Sequence, residues 1–382
     1  MSRTPDVCCP QTLECSLTHA HRTFNIVPVG QAYSQVAGIR WQPKSIHPSK
    51  PMLKLLPSTR RFKFLLSVWL LLSLMLAKPF DTAIGQERPP VDIKLTVNGL
   101  DPASLKSLTF SDPQNVKLSA KDKFELAAIY YPGVHGKNTP PIILLHDVLG
   151  AGEDLTELAI YLQKTFGYAV LVPDLRGHGH SKKTGKIEID SEKIGRDEFA
   201  AMALDIEACK KFLIARNDDG ELNIDMLNVV AIGKSCISAV NWAIGDWSYP
   251  VLVGLRQGQD VKALALVSPE QSFKGIRMTN AIKSGLFTGK DVEKPLRILL
   301  AAGTDDPSTV KEVESIASIV ERHRTKNEDA LDGLFVLKDY ATNGAELTTA
   351  EAGDLQKLIG QFVFLEIFKK QSDFPWAVRT KK

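Results

Sequence analysis

The sequence predicts an α/β fold, in the form of a doubly wound, mostly parallel sheet of about eight strands. From residue 142 onward, strand-like runs alternate with segments long enough to hold a helix, which is the pattern of a parallel sheet with helices on both faces. The later strand-like runs are almost continuously apolar, as expected for strands that are buried on both faces. Two runs that follow one another directly before residue 142 predict an antiparallel start.

The predicted elements follow from these patterns in order. The strands are expected at residues 116–119, 124–131, 142–146, 169–173, 227–232, 261–268, 296–302 and 333–338. Periodic apolar residues predict helices at 155–165, 196–216, 238–243, 309–323 and 350–368. Residues 86–115 form a polar linker with an edge strand at 92–97. Segment 269–294 is longer than a simple crossover requires, and we expect it to form a small cap over the site within the domain at 116–382.

The first 85 residues predict an export signal behind a leader. Residues 64–77 carry no charge, basic residues directly precede them, and the small residues at 83 and 85 suit a cleavage site before residue 86. This apolar stretch is shorter than the roughly 20 residues of a membrane span. We therefore expect a cleaved signal at 52–85, with an uncleaved anchor through 64–77 as the alternative. Because a signal should be N-terminal, translation is expected to start at Met52, and residues 1–51 to be a non-native or disordered leader.

Charge and cysteine content exclude several functions. The first 85 residues hold 10 of the 47 Lys and Arg and 3 of the 44 Asp and Glu, so the remainder has a formal charge of −4. We expect no nucleic-acid partner, because such a chain offers no basic face. Beyond residue 85 only Cys209 and Cys236 remain, which is no disulfide framework, and the early Cys and His spacing fits no zinc site. No metal or cofactor is expected.

Motifs at the carboxyl ends of the predicted strands place a ligand site there, as is usual in open α/β sheets. They are HDVLG at 146–150, DLRGHGHS at 174–181, GKSCI at 233–237, GTDD at 303–306 and NGAEL at 343–347. In order and spacing they resemble the α/β-hydrolase superfamily from about residue 124 to residue 368, and DLRGHGHS is the most specific motif. The phosphate-binding loop that also contains Gly-Lys-Ser is excluded, because Asn228 stands where that motif requires glycine.

The resemblance implies catalytic roles. Ser235 would be the nucleophile on the turn between strand and helix, and the N–H groups of Cys236 and of the loop near Val148 would form the oxyanion hole. The other interpretation of Ser235 is a helix cap. Asp306 would be the acid, with Asp305 as the alternative and helix capping as the role of whichever is not the acid. Ile237 departs from the pattern, because glycine is usual there.

The base is missing from its usual place. Asn343 stands where the resemblance implies histidine, and an asparagine cannot accept a proton at neutral pH. Without a base the serine hydroxyl is a poor nucleophile. Replacement bases remain as alternatives, namely His146, His178, His180, Lys234 and Glu346.

Two functions are consistent with this sequence. The first is an exported α/β-hydrolase-like protein that is weak or inactive as a serine hydrolase and serves as a binding or scaffold module. The alternative is an active carboxylester or peptide hydrolase that uses Ser235 and Asp306 with a non-standard base. Either would take a small-molecule ester or amide as ligand. We expect a periplasmic or extracellular location, with membrane contact only if the signal is uncleaved.

Overall fold

A computed structural model describes residues 109–250, 257–290, 292, 294–322, 324 and 333–380. The leader at 1–51, the signal at 52–85 and the edge strand predicted at 92–97 lie outside these residues. Among the described residues, no helix is both long and apolar enough to cross a membrane.

Eight strands form one mixed sheet, and each lies within two residues of its predicted bounds. They are β1 (Gln114–Ser119), β2 (Glu125–Tyr131), β3 (Pro141–Leu145), β4 (Ala169–Pro173), β5 (Leu227–Ile232), β6 (Val261–Val267), β7 (Arg297–Gly303) and β8 (Leu334–Tyr340). Their order across the sheet is β1-β2-β4-β3-β5-β6-β7-β8. β2 is antiparallel to both of its neighbours, and all later pairs are parallel. The predicted antiparallel start and parallel remainder are confirmed.

Helices cover both faces of this sheet. They are α1 (Thr156–Phe166), α2 (Arg196–Asp218), α3 (Ser235–Trp247), α4 (Pro307–Glu321) and α5 (Leu355–Glu366). α2, α3 and α4 contribute to one apolar core, whereas α1 and α5 contribute to the other. The continuous apolar run of β5 follows from this arrangement, because Val229 faces the first core and Val230 the second. α3 begins three residues earlier than predicted, and that difference matters for the site.

The segment predicted as a cap begins over the turn between β5 and α3. It contains a two-stranded ribbon, Ser272–Phe273 with Ile276–Arg277, followed by the short helices Thr279–Ile282 and Gly285–Thr288. The Phe273 ring packs edge-on against Phe199, with ring centroids 4.9 Å apart. Further along, buried apolar side chains join the core beside α3 and α4, among them Met278, Ile282 and Phe287.

Candidate active site

Gly233 forms the apex of the sharp turn between β5 and α3. β5 ends at Ile232, and α3 begins at Ser235, so only two residues make the turn. Gly233 has a φ of +57°, in the left-handed region that glycine adopts without a side-chain clash. Its N–H donates to the carbonyl oxygen of Val267 on the neighbouring strand (2.9 Å). The strained position of this turn is therefore held by Gly233 and not by Ser235.

The structure contradicts the prediction that Ser235 displays its hydroxyl group to a substrate. The side chain is fully buried at the start of α3. Its Oγ donates to the carbonyl oxygen of Ile232 (2.8 Å), with the carbonyl oxygen of Leu145 3.2 Å away, and accepts from the Ile232 N–H (3.1 Å). This hydroxyl ties the start of α3 to the ends of β3 and β5, and it is not a helix cap, because it bonds none of the N–H groups in the first turn of α3.

A shift of two residues along the chain explains the anomaly at Ile237. In Gly-x-Ser-x-Gly turns the nucleophile lies at the strained apex, with small residues two positions away on each side. With Gly233 at the apex, those flanking residues are Ala231 and Ser235, and both are small. Ile237 then lies within α3 and is fully buried in the core. The sequence signal for this register was the end of the predicted strand at Ile232.

The two backbone N–H groups that form an oxyanion hole in this fold converge on one carboxylate. Such a hole uses the N–H of the residue after the apex and an N–H from the loop after β3. Here these donors belong to Lys234 and Val148, and each donates to Oδ1 of Asp147 at 2.7 Å. The N–H of Val148, predicted to face a substrate oxyanion, here binds Asp147. Cys236 is not one of these donors, because its N–H donates to the carbonyl oxygen of Gly233 (3.3 Å) inside the turn.

The Asp147 carboxylate also fills the space of the nucleophile's side chain. A Cβ atom built on Gly233 would lie 2.3 Å from Cγ of Asp147. Burial raises the pKa of Asp147, and hydrogen bonds from the Lys234 and Val148 N–H groups, together with the charge of Lys234, oppose that rise. The carboxyl group of Asp147 therefore lies at the two N–H groups that bind an oxyanion in active members of this fold. Sequence reasoning missed Asp147 because it lay inside the quoted HDVLG motif without an assigned role.

The side chain of Lys234 is bound to the cap segment. Its Nζ forms an ion pair with Glu270 (2.6 Å) and lies 5.6 Å from the centroid of the Phe273 ring. The Glu270 N–H also donates to the carbonyl oxygen of Gly233 (3.3 Å). These contacts close one side of the turn. Lys234 does not activate Ser235, whose hydroxyl group is enclosed on the strand side of α3.

Asn343, which was predicted to replace the usual histidine, joins three strand ends. Its Oδ1 accepts from the Gly303 N–H (2.9 Å) at the end of β7 and from the Ser268 hydroxyl (3.3 Å) after β6. The Ser268 Oγ in turn accepts from the Gly344 N–H (2.8 Å). The Nδ2 of Asn343 is buried and has no hydrogen-bond partner among the described residues. Asn343 therefore holds these loops as an acceptor, a role that a neutral amide fills.

Asp306, predicted as the catalytic acid, is the N-cap of α4. Its Oδ1 accepts from the N–H (2.9 Å) and hydroxyl (2.6 Å) of Ser308, and its Oδ2 accepts from the Thr309 hydroxyl (2.6 Å). Hydrogen bonds from these two hydroxyl groups lower the pKa of Asp306 to about 2. Both oxygens thus serve the helix terminus, and no histidine among the described residues contacts them. The alternative, Asp305, is exposed beside it.

The histidines offered as replacement bases support loops. His146 is fully buried, its Nδ1 pairs with the carbonyl oxygen of Asp147 (2.7 Å), and its Nε2 accepts from the Leu175 N–H (3.0 Å). Burial lowers the pKa of His146 to about 4. His178 pairs with the Arg176 carbonyl oxygen through Nδ1 (2.9 Å) and accepts from the Leu149 N–H through Nε2 (3.2 Å). With both ring nitrogens engaged, neither histidine can take a proton from Ser235.

The remaining candidates lie outside the turn. His180 pairs through Nδ1 with Oδ2 of Asp174 (3.2 Å), and its side chain is otherwise in solvent. Glu346 is exposed in the short 3-10 helix Gly344–Thr348. Neither side chain makes a hydrogen bond to Ser235, whose partners are all backbone atoms of β3 and β5.

The DLRGHGHS motif also has an architectural role. Arg176 is buried and binds Asp205 of α2 through Nε (3.0 Å) and Nη2 (2.7 Å), and its Nη1 reaches Asp122 (2.7 Å). Oδ1 of Asp174 accepts from the Gly152 N–H (2.8 Å). These charge-assisted bonds lock the loop after β4 to its surroundings.

The sheet order, its antiparallel start and the strand–turn–helix at Gly233 define the α/β-hydrolase fold. No protein-family model and no curated protein sequence matches this chain. Among solved structures, similar ones include an esterase from Pyrococcus furiosus, with 15% identity over 73% of this chain and 97% of that chain and a TM-score of 0.47. Dienelactone hydrolase from Anabaena variabilis has 13% identity over 67% of this chain and 100% of its own chain, with a TM-score of 0.48. An esterase from Pyrobaculum calidifontis has 13% identity over 72% of this chain and 89% of its own chain, with a TM-score of 0.47.

Proposed function

We propose that this chain is a catalytically silent member of the α/β-hydrolase fold, a pseudoenzyme that serves as a binding or scaffold module. One observation carries the proposal: the apex of the turn is Gly233, and the Asp147 carboxylate accepts hydrogen bonds from the N–H groups of Lys234 and Val148, the donors expected to form the oxyanion hole. A glycine supplies no nucleophile. An anion already bound at the donors removes the main source of transition-state stabilisation in acyl transfer.

The arrangement of the other predicted residues supports the same proposal. An active hydrolase built on Ser235 and Asp306 would need both side chains to face a shared base. Ser235 is enclosed by backbone carbonyl groups, and Asp306 is committed to the start of α4. Asn343 supplies an amide where a base is needed. The alternative of an active ester or peptide hydrolase therefore requires rearrangement of three separate loops.

The predicted partner and location are part of this proposal. A small-molecule ester or amide remains the proposed ligand class, and it would have to bind without the two N–H groups that Asp147 occupies. We propose export to the periplasm or the extracellular space, supported by the signal-like residues 52–85. N-terminal sequencing of the exported protein tests this, since a mature chain beginning at Gln86 is the expected result.

Treatment with a fluorophosphonate probe tests the proposed lack of catalysis. The folded full-length chain should show no covalent labelling at neutral pH, because no activated serine is displayed. Labelling that disappears in Ser235→Ala would overturn the proposal and restore Ser235 as the nucleophile. Esterase turnover of a p-nitrophenyl ester, measured on the same samples, should equal that of the Ser235→Ala variant.

A restored variant provides the matched positive control. Gly233→Ser places a hydroxyl group at the apex, Asp147→Gly removes the overlapping carboxylate, and Asn343→His supplies a base after β8. We expect this triple variant to be labelled at the serine introduced at the apex, because the N–H groups of Lys234 and Val148 then become available. Labelling of this variant would show that the reagent reaches the turn. The lack of labelling in the natural chain would then be due to its residues at positions 147, 233 and 343.

A further inference from the structure

A second concave site lies at the opposite edge of the sheet from Gly233. It is a cavity of about 200 Å³ between the amino-terminal ends of β6 and β7, the end of α3 and the residues that follow α5. The turn at Gly233 lies at the carboxyl ends of the same parallel strands, so the two sites are separated by the length of the sheet. The cavity belongs to none of the machinery described above.

Positive charge predominates in the lining of this cavity. Its four basic side chains are Lys262, Lys294, Arg297 and Lys370, whereas Glu366 and Asp373 are its only acidic ones among the described residues. Every one of the six is fixed by an ion pair within or beside the cavity. Because the basic groups outnumber the acidic ones, the cavity favours an anion over a cation or a neutral molecule.

Lys262 lies deepest among these basic groups, between two aromatic walls. Its side chain is only 11% exposed, and its Nζ pairs with the buried carboxylate of Asp225 (3.1 Å). The same Nζ also donates to the carbonyl oxygen of Gln259, and it lies 5.3 Å from the centroid of the Trp247 ring and 5.8 Å from that of Phe374. The cavity therefore combines apolar ring surfaces with a fixed positive charge, which is the composition of a small-molecule site.

Arg297 adds a second fixed group at the start of β7. Its Nε pairs with Glu366 (3.0 Å), and its Nη1 donates to the carbonyl oxygen of Pro295 (3.1 Å). A Cβ atom on Gly333 would lie 2.2 Å from Cδ of Arg297, so the arginine stem is packed against that backbone. The Nη2 group makes no hydrogen bond to the described residues, which leaves a donor for a ligand on a side chain that is already ordered.

We propose that this cavity binds a small organic anion made of one ring and one carboxylate or comparable anionic group. The ring would pack beside Lys262 against Trp247 or Phe374, and the anion would lie near Arg297, close to the positive charge of Lys262. The volume of the cavity fits such a ligand, because an apolar cavity of about 150 Å³ in another protein holds one benzene molecule. A volume of about 200 Å³ leaves room for the additional anionic group.

Calorimetric titration of the full-length chain with benzoate tests the proposal, with the neutral isostere benzamide as the comparison. Benzoate should bind at least tenfold more tightly than benzamide, and its affinity should fall as salt is added. Equal affinities for the two molecules, or no benzoate binding at millimolar concentration, would overturn the proposal.

Variants separate this site from general charge effects. Lys262→Gln should raise the Kd for benzoate about tenfold, because the cavity loses its most buried positive charge. Lys338→Gln is the matched control, since Lys338 is also ion-paired (to Glu314, 2.7 Å) but lies on β8 outside the cavity. An equal effect of both changes would contradict the proposal. If Lys262→Gln does not fold, the half-exposed rim pair Lys294→Gln/Lys370→Gln replaces it, and an unchanged Kd in that variant would overturn the site.

Discussion

Gly233 and Asp147 share one space at the end of β5. The carboxylate of Asp147 lies where any side chain on Gly233 would start, with its Cγ 2.3 Å from the position of a Cβ atom. The absence of a side chain at residue 233 and the presence of a carboxylate at residue 147 are therefore linked requirements. A side chain at residue 233 would displace the Asp147 carboxylate, and removal of that carboxylate would make room for a side chain at residue 233.

This linkage predicts strong coupling between substitutions at the two positions. Gly233→Ala should lower the free energy of unfolding by about 3 kcal/mol or more, because the positive φ costs about 1 kcal/mol and the overlap with Asp147 adds to it. In the Asp147→Gly background the same change should cost only about 1 kcal/mol. Urea unfolding of the four proteins in a double-mutant cycle measures the coupling.

Gly185→Ala is the matched control for the backbone part of that cost. Gly185 has a φ of +56°, nearly that of Gly233, and a Cβ atom there meets nothing within 4 Å. Gly185→Ala should therefore lower the free energy of unfolding by only about 1 kcal/mol, whether or not Asp147 is present. Additive losses at Gly233 and Asp147 would contradict the shared space.

Asp306 is predicted to matter for stability and not for reactivity. Asp306→Ala should lower the free energy of unfolding by about 1 kcal/mol at pH 7, because α4 loses its N-cap. Hydrogen bonds to the Ser308 and Thr309 hydroxyl groups depress the folded pKa to about 2, so this contribution is complete above about pH 4 and is lost as the pH falls through 2. Asp305→Ala, which removes the exposed neighbour, is the control. A change in probe labelling of the restored triple variant on adding Asp306→Ala would contradict the assignment.

His146 is predicted to make stability depend on pH. Its folded pKa of about 4 lies below the ordinary histidine value of 6.5, so the unfolded chain binds more protons between these pH values. Stability should therefore fall as the pH drops from 6.5 towards 4. Between pH 7 and pH 5, His146→Gln should remove about 2 kcal/mol of that decrease.

Two measurements check the assignment of this pH dependence to His146. The His146 imidazole should stay neutral in NMR spectra down to about pH 5. His180→Gln is the control, because the His180 side chain is 88% exposed, and this change should preserve the pH dependence of the natural chain. Equal pH dependence in His146→Gln and the natural chain would refute the prediction.

A buried lysine at the other end of the sheet gives a fourth prediction. Lys210 of α2 is 1% exposed and pairs with Asp246 (2.6 Å) and Asp260 (3.4 Å). Lys210→Met should lower the free energy of unfolding by about 3–5 kcal/mol, because it leaves the buried carboxylate of Asp246 without its cation, whereas Asp260 keeps its ion pair with Arg379. Lys211→Met, at the exposed neighbouring position, should cost less than about 0.5 kcal/mol. Chemical denaturation at neutral pH measures both.

The sequence predicted the sheet well because its strands are buried on both faces. In β5, alternate residues such as Val229 and Val230 serve different cores, so the whole run must be apolar and its ends are visible in the sequence. Helix α3 was predicted less well. The pattern Gly-x-Ser predicts that its first residues belong to a displayed turn, whereas the chain turns within Gly233 and Lys234 and is helical from Ser235.

The site was predicted less well, because its roles depend on backbone angles and side-chain directions. The pattern Gly-x-Ser drew attention to Ser235, yet a helix places that side chain back towards β5, and only the φ of +57° identifies Gly233 as the apex. Asp147 was within a recognised motif, but no periodicity says that its carboxylate folds back onto the N–H groups of Val148 and Lys234. Asn343 follows β8, as its place in the sequence indicated, and its assignment to the position of the base stays a prediction.

The Asp147 carboxylate is, in effect, a ligand tethered to its own receptor. Because it is attached to the loop that supplies one of the donors, its effective concentration at the two N–H groups far exceeds that of any dissolved anion. A free carboxylate or an ester carbonyl could displace it only with contacts that Asp147 lacks. Asp147 therefore outcompetes dissolved anions for these two N–H groups. A molecule that binds near the turn must be recognised through other groups on the surface.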